Sequence, residues 1–126
     1  MKTVLLLDDA RSIRSVYAEV IRQAGFDAQT ASNAEEGLQY MVDHGIPDLI
    51  VTDIDMPGIS GLEFCSRVRQ VARHTPIIVM STLAGKGLVT EAKLLGVQGW
   101  MLKPVQPEYF LNKLKSVLDE TQALSS

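Results

Sequence analysis

Short runs of apolar residues alternate five times with longer segments in which apolar residues recur every three or four positions. The continuous runs at 3–7, 48–52 and 76–80 read as strands buried on both faces. The run at 27–30 is shorter and more polar, which suits a sheet edge, and 98–102 supplies a fifth strand. Ile13, Val16, Tyr17, Val20, Ile21 and Ala24 predict a first helix with one apolar face, stopped by Gly25. Asn33 with Glu36 forms a capping-box pattern ahead of Ala34, Leu38, Met41 and Val42, and Gly45 ends that helix. Ser60 with Glu63 repeats the pattern ahead of Leu62, Cys65, Val68 and Ala72. The fourth helix has a loose start at Gly85 and Gly87 and a sparse stripe of Leu88, Ala92 and Leu95 before Gly96. Pro107 opens the last helix, which carries Phe110, Leu111, Leu114, Val117 and Leu118 and frays over 124–126.

Strand and helix alternating in this way predict a doubly wound α/β domain, a parallel sheet with helices on both faces. Right-handed crossovers leave few topologies. In the flavodoxin-like (βα)5 order, 2-1-3-4-5, strands one and three are neighbours and the switch point lies between them. Asp8-Asp9 close the first run and Asp53 the third, while Ser81 follows the fourth and Lys103 the fifth. All five then emerge at the carboxyl edge of one sheet, around one hollow.

Each of these residues alone has a plainer reading. Asp8-Asp9 suits a turn or a helix amino end, and 53–58 suits a turn. Lys103-Pro104 marks the end of a strand. Their joint placement at strand ends outweighs those readings, because clustered carboxylates repel one another unless a cation sits among them. A bound Mg2+ and the Lys103 ammonium would both relieve that repulsion. A carboxylate so placed can attack a phosphoryl group and hold it as an acyl phosphate.

The 126 residues fit one domain large enough for a proper core, and the composition is 46% hydrophobic and 21% charged. A net charge of −3 argues against a nucleic-acid-binding surface. One cysteine, Cys65, leaves no intramolecular disulfide and reads as a small core residue. The amino-terminal apolar run stops at Asp8, too early for a signal peptide, and no stretch is long enough to span a membrane. A cytoplasmic protein is expected. His44, His74, Arg11, Arg14, Lys86 and Lys93 read as solvated surface positions, with Arg11 a weak candidate for receiving an anionic partner.

From about residue 2 to residue 120 the chain resembles a response-regulator receiver domain. Asp8-Asp9, Asp53-Ile54-Asp55-Met56-Pro57-Gly58 with Gly61, Ser81 and Lys103-Pro104 carry the resemblance, in the family's order and spacing. The resemblance implies that Asp53 is the phosphoacceptor. Asp9 and Asp53 would bind Mg2+ (or Mn2+) directly, Asp8 through water and Asp55 through its backbone carbonyl. Lys103 would neutralise the phosphoryl group and Ser81 would shift toward it. Trp100 occupies the aromatic switch position, where Tyr or Phe is commoner, and Val105 stands where an aromatic is frequent. Asp55 and Leu83 hold positions that tune phosphoryl lifetime.

The same resemblance implies a donor, a histidine kinase or histidine phosphotransfer protein. It implies a protein target docking on the fourth helix, fifth strand and fifth helix. The protein would catalyse only its own phosphorylation and dephosphorylation. We expect residues 1–122 to form a monomeric stand-alone receiver with a short tail at 123–126 and no output domain. Chemotaxis is the favoured pathway, with a phosphorelay shuttle close behind. Three rivals rank lower: a haloacid-dehalogenase-like phosphohydrolase, a flavodoxin-like electron carrier and an adaptor that is not phosphorylated.

Overall fold

The computed structural model describes residues 1–125, with side chains through Asp119. Its elements are β1 (Thr3–Leu7), α1 (Arg11–Gln23), β2 (Asp27–Ala31), α2 (Ala34–His44) and β3 (Leu49–Thr52). They continue with α3 (Gly61–Val71), β4 (Ile77–Ser81), α4 (Lys86–Leu94), β5 (Gly99–Leu102) and α5 (Pro107–Ser125). The five strands form one parallel sheet in the order β2-β1-β3-β4-β5, the flavodoxin-like order expected from the sequence. β4 runs one residue further than the apolar run implies, because Ser81 pairs with Leu102. Helix α5 continues through Ser125, covering most of the expected tail, and Ser126 lies outside the described residues.

Alternation along β1 divides the core. Val4 and Leu6 pack with Tyr17, Ile21, Phe110 and Leu114 under α1 and α5. Leu5 and Leu7 pack with Met41, Phe64, Cys65 and Val68 under α2 and α3. Both faces of the central strands are thereby covered, which is why their sequences are apolar at consecutive positions. A smaller cluster of Ile54, Leu62, Val79 and Ala92 sits beneath α4, with Trp100 packed against it.

Both N-caps form as the sequence suggests, but neither capping box closes reciprocally. Asn33 accepts from the Glu36 N–H at 2.8 Å, but the Glu36 carboxylate reaches Ser32 N–H, one residue before the cap. Ser60 accepts from the Glu63 N–H at 3.2 Å, while Glu63 turns outward to Arg67. Arg69 ties two helix ends together, donating to the carbonyls of Ala72, Thr75, Leu95 and Gly96.

Two apolar residues assigned to helix stripes are exposed, Val16 at 53% and Val42 at 79%. At 3.6 residues per turn, Val16 lies about 140° around α1 from the buried Ile21, and Val42 lies about 100° around α2 from Met41. Each helix buries a narrower arc than the three-and-four spacing allows. No helix among the described residues is long and apolar enough to cross a membrane.

Cys65 is buried against the α2–α3 side of the sheet, and that burial pushes its thiol pKa up to about 12, against the pull of Arg69. The thiolate is the reactive form. The folded protein is therefore expected to resist an aromatic disulfide reagent at pH 8 and to react with one equivalent once unfolded in denaturant. Absorbance of the released thiolate measures both.

Candidate functional site

Sheet register builds the site. Leu7 stands opposite Thr52 on the adjacent strands β1 and β3, so Asp8 and Asp53 leave the sheet side by side. The Asp53 N–H continues the ladder to the Leu7 carbonyl at 3.0 Å, and the Asp8 N–H continues it to Ala31 at 3.2 Å. Both side chains are buried, whereas Asp9 is exposed. On the other side, Ser81 pairs with Leu102 and its carbonyl accepts from the Lys103 N–H at 2.9 Å. Lys103 thus leaves β5 with its side chain directed back across the strand ends. The Lys103–Pro104 peptide is cis.

Carboxylate oxygens of Asp8, Asp9 and Asp53 lie within 4.8 Å of one another. The Lys103 ammonium joins two of them, at 2.5 Å from Asp8 Oδ2 and 2.8 Å from Asp53 Oδ2. Burial opposes the charge on Lys103. Hydrogen bonds and Coulombic attraction from Asp53 and Asp8 outweigh that penalty and hold its pKa above the usual lysine value.

The remaining oxygens are partly occupied. Asp8 Oδ1 accepts from the Ala10 N–H at 2.9 Å, and Asp53 Oδ1 accepts from the Asp55 N–H at 3.2 Å. Asp9 has no hydrogen-bond partner among the described residues. Three carboxylates face one ammonium, so the cluster keeps a negative excess that a second cation would balance. Its donors are all hard oxygens, one fully free, which fits Mg2+ chemistry.

The other predicted residues take no part in the lysine–carboxylate contacts. Asp55 is exposed, tied to Asp53 through its N–H. Ser81 is buried, and its Oγ accepts from the Leu83 N–H at 3.0 Å. The Leu83 carbonyl in turn accepts from Trp100 Nε1 at 2.9 Å. Trp100 and Ser81 are therefore joined through the backbone of Leu83. Val105 is buried, and the Tyr17 hydroxyl donates to its carbonyl. His44 and His74 are exposed, as expected.

Three supporting residues escape sequence reasoning. Arg14, read as a solvated position, donates from Nη1 to the Asp8 carbonyl at 2.7 Å and pins the β1–α1 loop. Thr52 Oγ1 donates to the Asp53 carbonyl at 2.9 Å. Glu35 accepts from the Ile59 N–H at 3.2 Å and so braces the loop that follows Asp53. All three act on backbone groups, which carry no sequence signal.

Known proteins share this fold. A family model for the response regulator receiver domain matches residues 4–115. Chemotaxis protein CheY of Thermotoga maritima is 30% identical over 117 residues, covering 92% of this chain and 97% of that protein. The phosphate regulon transcriptional regulatory protein PhoB of Pseudomonas aeruginosa is also 30% identical. The match takes in 95% of this chain but 53% of PhoB, so the chain spans about half of that relative. Response regulator protein TrrA of Thermotoga maritima, solved in complex with Mg2+-BeF, superposes with a TM-score of 0.83 at 29% identity over 93% of this chain and 99% of that one. With the sheet order, the strand-end carboxylates and a family model spanning nearly all of it, the chain belongs to the response regulator receiver domain family.

Proposed function

We propose that the protein is a phosphoryl-accepting signalling switch whose acceptor is Asp53. The observation that carries this reading is the Lys103 ammonium bridging Asp53 and Asp8 across a carboxylate cluster. An Asp53 oxygen attacks the phosphorus of the donor, the bond from phosphorus to the donor's leaving atom breaks, and an acyl phosphate forms. Lys103 is already within contact of the oxygen that changes, so its charge requires little rearrangement to face the phosphoryl group. Asp8, Asp9, Asp53 and the Asp55 carbonyl would hold Mg2+, which when bound offsets charge on the transferring oxygens. TrrA in its Mg2+-BeF complex supports that assignment.

The Ser81 hydroxyl supplies the link outward. Oγ accepts from Leu83 in this structure, and turning its proton to a phosphoryl oxygen on Asp53 alters the segment that Trp100 holds. Trp100 is the chain's single tryptophan, so its emission reports the event directly. Phosphorylation is expected to change that emission in the wild type. In Ser81→Ala the adduct still forms but at least half of the emission change is lost. An unchanged response in Ser81→Ala would sever the proposed link.

Output runs through α4, β5 and α5 to a protein target. Exposed apolar side chains on those elements support this, with Leu94, Leu102 and Tyr109 at 83%, 55% and 58% exposure. The donor is a histidine kinase or histidine phosphotransfer protein, and the setting is cytoplasmic, with residues 1–122 acting as a monomeric receiver. The near end-to-end match to a chemotaxis protein favours a chemotaxis role. The test is incubation with Mg2+ and acetyl phosphate, read by intact mass. One stoichiometric phosphoryl group, absent when Mg2+ is chelated beforehand, supports the switch. Steady turnover of phosphomonoesters would instead indicate a phosphohydrolase.

A further inference from the structure

Three of the chain's six arginines gather on one side of α1, facing the open edge of the sheet. Arg11, Arg14 and Arg22, with Ser15, Ala18 and Thr30, line a hollow of about 210 Å3 between α1 and β2. The positions 11, 14, 15, 18 and 22 follow the three-and-four spacing, so a single helix face presents them. Arg11 and Arg22 are eleven positions apart, about 16 Å along the helix axis. The hollow is a trough against this helix face, with the small Ala18 between Arg14 and Arg22 in sequence.

The lining contains no carboxylate, and none of the three guanidinium groups has an ion-pair partner among the described residues. Two of them are fixed in place. Arg14 donates to the Asp8 carbonyl at 2.7 Å and Arg22 to the Ala28 carbonyl at 2.9 Å. Each guanidinium has five N–H donors, so most remain unused after these bonds. Glu36 is the nearby acid that responds to Arg14. The Ser32 N–H holds its pKa below the usual value more strongly than Arg14 does, and one of its oxygens is committed to that N–H. A chain with a net charge of −3 thus concentrates unpaired positive charge here, with the Ser15 and Thr30 hydroxyls among it.

An added strand is a poor occupant. Asp27 N–H and Ala31 C=O both face β1, so in a parallel strand Ala28 and Thr30 turn their backbone groups to the open edge. Arg22 already covers the Ala28 carbonyl at that edge. A compact multivalent anion fits better, because forked guanidinium groups match phosphoryl oxygens in geometry and charge.

We infer that the α1–β2 trough binds an anion carrying two or more linked phosphoryl groups, held by Arg11, Arg14 and Arg22. The trough shares no lining residue with the carboxylate cluster, which would repel such an anion in the absence of metal. The ligand is either a free polyphosphate or the phosphate tail of a nucleotide.

Isothermal titration with tripolyphosphate, orthophosphate and adenosine triphosphate, at fixed ionic strength in excess chelator, tests this. Tripolyphosphate is expected to bind one equivalent at least tenfold more tightly than orthophosphate. Arg11→Gln and Arg22→Gln are each expected to weaken it at least fivefold, whereas Lys86→Gln on α4 leaves it unchanged. Adenosine triphosphate binding more tightly than tripolyphosphate assigns a nucleotide; equal or weaker binding assigns free polyphosphate. The Arg11 guanidinium makes no hydrogen bond among the described residues, so Arg11→Gln should fold, and unchanged circular dichroism with intact Asp53 labelling checks both variants. No binding, equal losses in Lys86→Gln, or binding of hexaglutamate in place of tripolyphosphate would overturn the inference.

Discussion

Asp53→Asn is expected to take up no detectable phosphoryl group from acetyl phosphate under conditions in which the wild type takes up one. An amide oxygen is a far weaker nucleophile than a carboxylate, and no neighbouring group is placed to activate it. Asp8 is held by Lys103 on one oxygen and the Ala10 N–H on the other, which leaves it committed to orientation. Asp9 is exposed and lacks the lysine contact that Asp53 has. The loss must be separated from unfolding. Lys103 keeps Asp8 as a partner in the variant, and removing one carboxylate from the cluster relieves repulsion. The stability change should therefore stay within about 1 kcal/mol. A urea titration measures it. Labelling that persists in Asp53→Asn would move the acceptor to Asp9 or Asp55 and would end the assignment of Asp53.

Which residues were legible depends on what determines their place. Val4 to Leu7 and Ile77 to Met80 read as buried strands because both faces of the sheet are covered, a condition visible in composition alone. Strand order was legible through the resemblance and through the polar residues that close each run, since only adjacent β1 and β3 bring Asp8 beside Asp53. Val16 and Val42 failed as stripe residues because the width of a buried arc depends on how a helix sits against the sheet, which sequence spacing does not contain. Arg14, Thr52 and Glu35 failed as site residues for a related reason. Their partners are the Asp8 and Asp53 carbonyls and the Ile59 N–H, and any residue offers such groups. The Trp100 indole bond to Leu83 is also a backbone contact, so sequence could place the tryptophan but not its tether. What sequence reveals here is chemistry carried by side chains that meet one another, as Lys103 meets Asp8 and Asp53.

Gly61→Ala is expected to destabilise the fold by about 3 kcal/mol or more, at the upper end of overpacking costs. A Cβ at this first residue of α3 would lie 2.0 Å from the Asp53 carbonyl oxygen, 2.7 Å from Ile54 Cα and 2.9 Å from the Asp53 carbonyl carbon. These are backbone atoms held in place from both sides. The Gly61 N–H bonds the Ile54 carbonyl at 2.9 Å, and Thr52 Oγ1 bonds the same Asp53 oxygen that the methyl would strike. Relief therefore requires the acceptor residue itself to move, and labelling at Asp53 should slow together with the loss of stability. Gly37→Ala provides the contrast. Its Cβ would meet Leu7 Cδ2 at 2.7 Å and Phe64 Cε1 at 3.1 Å, both side-chain atoms that can shift. Alanine within α2 also gains about 1 kcal/mol of helix propensity over glycine. That gain offsets much of the overpacking, so Gly37→Ala should cost no more than about 2 kcal/mol. Its Asp53 labelling should be unchanged. Urea midpoints for the two variants give the comparison. A Gly61→Ala protein as stable as Gly37→Ala would mean that the loop after Asp53 yields easily, and the close approach of α3 to the acceptor would then not be what fixes its position.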